Sequence, residues 1–177
     1  MTVFLIGFMG SGKSTLGRRM ASRSGWRFED LDTLIEQFEG RTVEEIFRES
    51  GEDYFRKVEA ETLRRIKPEE NIIIACGGGT PCFKDNMKYM NSSGVTIYLK
   101  HEVRTLANRL RNARKIRPLL KGMDEDSMVE YISVKLAERE QFYSKAKLII
   151  DGMKADPGRM MEIIQSVPPY NHEGYQY

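Results

Sequence analysis

The stretch that determines the fold is Val3-Phe-Leu-Ile6, followed directly by Gly7-Phe-Met-Gly-Ser-Gly-Lys13-Ser14. The first four residues form a short apolar run, which is typical of a β-strand buried on both faces. The second part has the pattern G-x-x-x-x-G-K-S of a phosphate-binding loop between a strand and a helix. Its glycines allow a tight turn in which several backbone N–H groups converge on one phosphate. The sequence therefore predicts an α/β domain that binds a mononucleotide.

Within this loop, the positive end of the helix that follows favours phosphate binding. Lys13 supplies a point charge for the β- and γ-phosphates, and Ser14 offers a hydroxyl to Mg²⁺. An accidental match inside a glycine turn is the alternative, and the strand before the loop and the helical pattern after it disfavour it. The residues expected to contact the phosphates are Gly10, Ser11, Gly12, Lys13, Ser14 and Thr15.

Composition and charge exclude several other classes of protein. The chain has 177 residues, a net charge of +2 and a pI near 8.5, which predicts one domain and gives no argument for nucleic-acid binding. It contains no apolar run of about 18 residues, and its first strand has no basic segment before it, so we expect neither a membrane span nor a signal peptide. Cys76 and Cys82 match no redox or zinc spacing, which predicts free thiols and a cytoplasmic location.

Two carboxylates follow the second predicted strand, residues 26–30. Asp30 and Asp32 lie at its carboxyl end, which is the edge where parallel sheets bind ligands. One alternative is that Asp32 only caps a helix over 33–38. Beside a phosphate-binding loop, however, a phosphotransferase needs one carboxylate near its metal and one near the accepting hydroxyl. We therefore interpret the pair as functional.

Three more strands are predicted at 71–76, 95–99 and 148–150, with helices between them. The third strand ends in Gly77-Gly78-Gly79, which suggests a ligand against bare backbone. Thr42 and Glu45 form a capping box, and Gly51 separates two helices. Predicted helices cover 13–24, 33–38, 42–50, 52–66, 84–90, 102–111 and 126–143, and a last helix ends near residue 166.

The remaining charged residues have competing interpretations. The basic segment 109–120 is either a solvated loop, an RNA-binding arm without supporting aromatic residues, or a lid that closes on a transferring phosphate. The residue pattern alone favours a surface ion pair for Arg56. His101 and His172 have no partner at a telling spacing, and both are predicted to be surface residues.

Several of these stretches together resemble the shikimate kinase family over nearly the whole chain, to about residue 166. The phosphate-binding loop alone is shared by a vast class of proteins, but the combination of motifs is specific. The matching stretches are Gly7–Gly17, Phe28-Glu-Asp30-Leu-Asp32, Phe55-Arg56-x-x-Glu59, Gly77-Gly78-Gly79, Arg117-Pro-Leu-Leu120, and Glu138-Arg139 with Tyr143.

The resemblance implies roles for individual residues in transfer of the γ-phosphoryl of ATP to the 3-hydroxyl of shikimate. Arg56 and Arg139 are similar to the family's carboxylate-binding arginines, and Gly78 to the glycine whose backbone meets the substrate. Asp32 resembles the residue that binds the ring hydroxyls and orients or deprotonates the attacking one. Asp30 resembles an outer-shell partner of the Mg²⁺ held by Ser14.

Two further arginines resemble the family's nucleotide-binding residues. Arg117 is similar to the lid arginine that reaches the ATP phosphates, and Arg109 is a candidate for stacking on adenine. Loop 151–158 departs too much from the family pattern to carry individual roles. Leu31 replaces a small polar residue that the family often has, and we expect strand alternation to point it away from both carboxylates.

The resemblance also implies an α/β P-loop kinase fold with a five-stranded parallel sheet in the order 2-3-1-4-5. We expect one domain over 1–167 that acts as a monomer, with a substrate-binding region at 33–61, a lid at 112–123 and a polar tail at 168–177. Two alternatives stay open. One is a kinase for another hydroxy-carboxylate such as gluconate, and the other is a non-catalytic nucleotide-binding regulator.

Overall fold

The computed structural model describes residues 1–66, 71–113, 120 and 122–166. Its strands are β1 (Thr2–Ile6), β2 (Arg27–Asp30), β3 (Ile72–Ala75), β4 (Val95–Lys100) and β5 (Leu148–Asp151). Its helices are α1 (Lys13–Ser24), α2 (Leu31–Glu39), α3 (Val43–Arg65), α4 (Asn86–Ser93), α5 (Val103–Arg111), α6 (Glu125–Tyr143) and α7 (Pro157–Ser166), with a 3₁₀ turn at Thr80–Cys82. None of these helices is long and apolar enough to cross a membrane.

The five strands form one parallel sheet in the order β2-β3-β1-β4-β5, which confirms the predicted fold. The central strand β1 pairs with β3 on one side and β4 on the other. Leu5 is the register partner of both Ala75 and Ile97. All carboxyl ends therefore lie along one edge, and the loops that follow β1, β3 and β4 are neighbours there.

Side chains of β1 alternate between two cores, as expected for a strand buried on both faces. Phe4 and Ile6 pack with residues of α2, α3 and α4 on one face of the sheet. Val3 and Leu5 pack with residues of α1 and α7 on the other. A third cluster lies between α5 and α6 and includes Phe8 of the phosphate-binding loop.

Most predicted helix ends are confirmed. Gly25 ends α1 in the left-handed conformation, with φ of 71°. Thr42 and Glu45 form the predicted capping box at the start of α3. Gly51 has φ of 80° and ψ of 176°, so α3 consists of two helices joined at a kink, as its position predicted.

The predicted start of α2 was wrong. Asp30, not Asp32, caps this helix, because its carboxylate accepts a hydrogen bond from the Asp32 backbone N–H at 3.2 Å. The helix therefore begins at Leu31. Leu31 is fully buried in the core as a helical residue, so strand alternation was also the wrong reason for its direction. The predicted helix over 84–90, by contrast, starts later than expected, at Asn86 after the 3₁₀ turn.

The close packing of α1 against β2 at Gly17 gives a stability prediction. A Cβ at Gly17 of α1 would lie 2.5 Å from the Phe28 ring of β2. We expect Gly17→Ala to lower the free energy of unfolding by about 1–3 kcal/mol, because this clash outweighs the better helix propensity of alanine. Ser22→Ala on the exposed side of α1 is the control, and we expect a change within about 0.5 kcal/mol. Equal urea midpoints for the two variants would contradict this packing.

Candidate active site

The phosphate-binding loop wraps around the side chain of Lys13. Gly10 and Gly12 have φ of 79° and 92°, a conformation that other residues rarely adopt. The Lys13 ammonium donates to the carbonyls of Gly7 and Phe8, each at 2.9 Å, and it is 9% exposed. The loop thus holds a buried positive charge at the amino end of α1, where the helix dipole adds to its attraction for anions.

The two residues predicted to serve a metal are in direct contact. The Ser14 hydroxyl donates to the Asp30 carboxylate at 2.7 Å, and the other oxygen of Asp30 caps α2. Within the described ranges, no group of three or more His, Cys, Asp and Glu residues is placed to hold a metal. A hydroxyl next to a single carboxylate fits Mg²⁺, which keeps several waters and binds largely through substrate phosphates.

Asp32 lies in the first turn of α2 and faces the glycine turn after β3. A Cβ at Gly77 would be 3.4 Å from its carboxylate oxygen. Asp30 contacts Ser14 at the amino end of α1, and Asp32 lies against the glycine turn of the neighbouring strand β3. The predicted proximity to the phosphate-binding loop is confirmed for Asp30, which contacts Ser14.

Arg56 of α3 is buried between two carboxylates. Its Nη1 donates to Glu59 at 2.9 Å, while Nε and Nη2 donate to one oxygen of Glu52 at 3.2 and 3.0 Å. The guanidinium also stacks on the Phe83 ring, 4.2 Å from its centroid. The residue is 9% exposed, so the simple surface ion pair that its local sequence favoured was wrong.

Glu59 ties α3 to the glycine turn. Its carboxylate is completely buried and accepts hydrogen bonds from Arg56 and from the Thr80 hydroxyl, the latter at 2.5 Å. The motif Phe55-Arg56-x-x-Glu59 contains Glu59 but does not predict its contacts, and no sequence pattern pointed to Thr80. The spacing of Arg56 and Glu59 on one helical face was the available signal.

The glycine turn allows two guanidinium groups to approach its backbone. A Cβ at Gly79 would be 2.6 Å from Arg56 Nη2, and one at Gly78 would be 3.1 Å from Arg139 Nη1. The Gly78 carbonyl accepts a short hydrogen bond from the Tyr143 hydroxyl. The side chains of the two predicted carboxylate binders are thus among those that approach this turn, and the ligand expected against its backbone stays a prediction.

Arg109 and His101 both lie against the outside of the phosphate-binding loop. Arg109 Nη1 donates to the Ser11 carbonyl at 3.3 Å, and its Nη2 lies 3.3 Å from the sulfur of Met153 in the loop after β5. His101 is 6% exposed, and its Nε2 lies 3.0 Å from the same carbonyl. Burial lowers the pKa of His101, and the contact with Ser11 opposes that shift. The prediction that His101 is a surface residue was wrong, because the pairing of β1 with β4 buries it.

The other predicted residues lie outside the described ranges. They include Arg117 with most of the 112–123 lid, and His172 with the 168–177 tail. The Arg111 guanidinium pairs with Glu125, so the helices on either side of the lid segment are joined by an ion pair. The roles proposed for the lid rest on the sequence.

A family model described as shikimate kinase matches residues 9–168. The chain belongs to the shikimate kinase family. Its relatives include a shikimate kinase of Parabacteroides distasonis, 43% identical over 152 residues that cover 86% of this chain and 88% of the relative. A shikimate kinase of Phocaeicola vulgatus is 41% identical over 160 residues, covering 90% and 91% of the two chains. Membership makes the chain an ATP-dependent kinase.

Solved structures agree with this membership. The shikimate kinase of Bacteroides thetaiotaomicron matches with a TM-score of 0.88 and 37% identity, covering 93% of this chain and 98% of its own. The Acinetobacter baumannii shikimate kinase in complex with shikimate matches with a TM-score of 0.79 and 28% identity, over 94% of each chain. A deoxyadenosine kinase of M. mycoides, at 15% identity and a TM-score of 0.56, shares the fold.

In this shikimate kinase family member, the buried pair of Arg56 and Glu59 gives a second stability prediction. Glu59→Gln removes the charge that compensates a buried guanidinium, so we expect the free energy of unfolding to fall by about 3 kcal/mol. Glu61→Gln changes an exposed carboxylate on the same helix and is the matched control. Urea unfolding measures both. A loss no larger for Glu59→Gln than for Glu61→Gln would contradict the role of the buried pair.

Proposed function

We propose that this site transfers the γ-phosphoryl of ATP to the 3-hydroxyl of shikimate, giving shikimate 3-phosphate and ADP. One observation carries the proposal: a Cβ at Gly78 would lie near both Arg139 Nη1, at 3.1 Å, and the Met9 backbone nitrogen, at 3.5 Å. A binding position for a carboxylate and a binding loop for phosphate thus adjoin the same turn. That arrangement suits a reaction between a nucleotide and a small acid.

The nucleotide half of the site is built from the phosphate-binding loop. Backbone N–H groups of Gly10, Ser11, Gly12, Lys13, Ser14 and Thr15 surround the phosphates, and the Lys13 ammonium transfers its hydrogen bonds from loop carbonyls to phosphate oxygens. Arg109 lies beside Met153 at the exposed rim, where an adenine ring would stack on its guanidinium. Arg117 of the lid would add positive charge to the transferring phosphate.

Mg²⁺ would neutralise charge on the β- and γ-phosphates when it is bound with ATP. The Ser14 hydroxyl would be its protein ligand, and Asp30 would act from the outer shell through that hydroxyl and through bound water. The short Ser14–Asp30 contact supports this assignment. It also explains why Asp30 is more than a helix cap.

The acceptor half is built from two arginines and one carboxylate. Arg56 and Arg139 lie against the glycine turn, where planar guanidinium groups match the carboxylate of shikimate. Asp32 lies across the same turn and would accept a hydrogen bond from the 3-hydroxyl, which orients or deprotonates the nucleophile. Lys13, Asp32 and Arg117 are therefore the proposed catalytic residues.

Glu52 is a competing carboxylate at this position. It occupies the Nε–Nη2 edge of Arg56, the edge on which arginine binds carboxylates in a bidentate manner. Glu59 holds the opposite side of the guanidinium and is completely buried, whereas the side chain of Glu52 is 56% exposed. Shikimate would therefore displace Glu52 and leave Glu59 in place.

The proposed function also assigns roles to whole segments of the chain. Residues 33–61 carry Arg56 and form the substrate-binding region, 112–123 form the lid, and 1–167 act as one domain with 168–177 as a tail. The protein is proposed to act as a monomer. The free thiols of Cys76 and Cys82 fit a cytoplasmic location, and no step requires a nucleic acid.

ADP release with Mg·ATP tests the proposed function against a panel of shikimate, gluconate, quinate and AMP. We expect strong turnover with shikimate alone, and almost none for Lys13→Ala with any acceptor. Turnover with gluconate or quinate instead would keep a kinase and overturn the roles of Arg56 and Arg139. ATP binding without turnover on any acceptor would favour a nucleotide-binding regulator.

The competition at Arg56 gives a pair of opposite predictions. Arg56→Ala should raise the KM for shikimate about 100-fold with a smaller effect on the KM for ATP, because it removes a charged bidentate contact. Glu52→Gln should lower the KM for shikimate several-fold, because the neutral amide competes less well for the guanidinium. Asp53→Asn removes the same charge from the next exposed residue and is the control. A raised KM for shikimate in Glu52→Gln, or an unchanged one in Arg56→Ala, would contradict the assignment.

A further inference from the structure

The carbonyl of Ser11 is held by two side chains that come from outside the phosphate-binding loop. His101, directly after β4, places its Nε2 at 3.0 Å from this oxygen, and Arg109 of α5 places its Nη1 at 3.3 Å. Ser11 is 90 residues from His101 and 98 residues from Arg109 in the sequence. These residues meet because β4 lies beside β1. His101 is buried, with 6% of its surface exposed to solvent.

We infer that Nε2 of this imidazole carries the hydrogen, because the shorter of its two contacts is to the Ser11 carbonyl, which can only accept. Arg109 Nη1, 3.4 Å from Nε2, shares the same acceptor. The pKa of His101 is lowered by burial, which keeps the imidazole neutral and leaves Nδ1 as an acceptor.

Nδ1 has no hydrogen-bond partner among the described residues, although it is buried. Burying an acceptor without a partner is unfavourable, so an apolar side chain would be more stable here if the position served packing alone. An apolar side chain, however, could not donate a hydrogen bond to the Ser11 carbonyl. The role of His101 therefore lies in this hydrogen bond.

We propose that His101 is a positioning residue for nucleotide binding, which acts by fixing the Ser11–Gly12 peptide of the phosphate-binding loop. In a trans peptide the C=O and the N–H point in opposite directions. A Ser11 carbonyl held against His101 therefore directs the Gly12 N–H to the other side, where the converging N–H groups of the loop bind phosphate. Without the imidazole, the side chain that still holds this carbonyl among the described residues is that of Arg109, which is exposed at the rim.

Gly152, in the loop after β5, keeps the imidazole in place. A Cβ there would lie 2.0 Å from Nε2 of His101, so only glycine leaves room for the ring. The Gly152 N–H donates to the Lys100 carbonyl at 2.8 Å, which fixes this loop directly beside the end of β4. His101 is thus confined between Ser11 on one side and Gly152 on the other.

The inference rests on the proposed function only for the identity of the nucleotide, and calorimetric titration of Mg·ADP tests it without turnover. We expect His101→Leu to raise the Kd for ADP about fivefold, the effect of losing one neutral hydrogen bond. His101→Gln places an amide N–H near the former Nε2 and should recover most of the affinity. The KM for shikimate should stay unchanged in both, and the melting temperature confirms that both fold.

Gly152 supplies an independent arm of the experiment. Gly152→Ala should displace the imidazole and raise the Kd for ADP as His101→Leu does. In a His101→Ala background the same Gly152→Ala change should have little further effect, because no ring remains to be displaced. This non-additivity is specific to a contact between the two residues.

Three results would overturn the inference. They are an unchanged Kd for ADP in His101→Leu, an equal loss in His101→Gln and His101→Leu, and additive effects of His101→Ala and Gly152→Ala. Failure of the proposed function has a different signature, since the unmodified protein would then bind ADP but release none from ATP with shikimate. The two failures are therefore separable in the same set of proteins.

Discussion

The parallel pairing of β1 on both of its sides is the constraint on which the site depends. Leu5 is in register with Ala75 of β3 and Ile97 of β4, and the Cys76 N–H donates to the Leu5 carbonyl at 3.0 Å. A shift of one residue would turn every core side chain of β1 to the opposite face, so this register is strongly specified. The phosphate-binding loop is consequently placed between the glycine turn after β3 and His101 after β4.

Charge organises the site within that frame. Lys13, Arg56 and Arg139 bring positive charge to the edge of the sheet, as required for two anionic substrates. Glu59 compensates one side of Arg56 permanently, because it is buried and also bonded to Thr80. Among the described residues, the carboxylate on the other side of that guanidinium is the exposed Glu52, which the proposed substrate carboxylate would displace. The same arginine is therefore both a structural group and a proposed binding group.

The sequence predicted those parts of the molecule whose signals are local. The phosphate-binding loop, the capping box at Thr42 and the kink at Gly51 each depend on a few adjacent residues, and all three are confirmed. The strand order came from the family resemblance, since the apolar runs alone do not say which strands are neighbours. The cap of α2 was misplaced by two residues because Asp30 and Asp32 are both good capping residues, and only the backbone distinguishes them.

The contacts that sequence reasoning missed are those formed between distant segments. His101 carries no local pattern, and only the pairing of β4 with β1 brings it to Ser11. Arg56 was interpreted locally as a surface residue, whereas the 3₁₀ turn at 80–82 and the Phe83 ring cover it. Burial of a charged side chain depends on elements far along the chain, so helical spacing alone did not reveal it.

A crystal structure with Mg·ADP and shikimate would show whether one turn joins a phosphate site to a carboxylate site. We expect the carboxylate of shikimate against Arg139 and the Nε–Nη2 edge of Arg56, with Glu52 displaced and Glu59 still bound. We also expect Lys13 to donate to phosphate oxygens in place of the Gly7 and Phe8 carbonyls. Shikimate bound elsewhere, with the Arg56–Glu52 pair intact, would show that the glycine turn does not join the two sites.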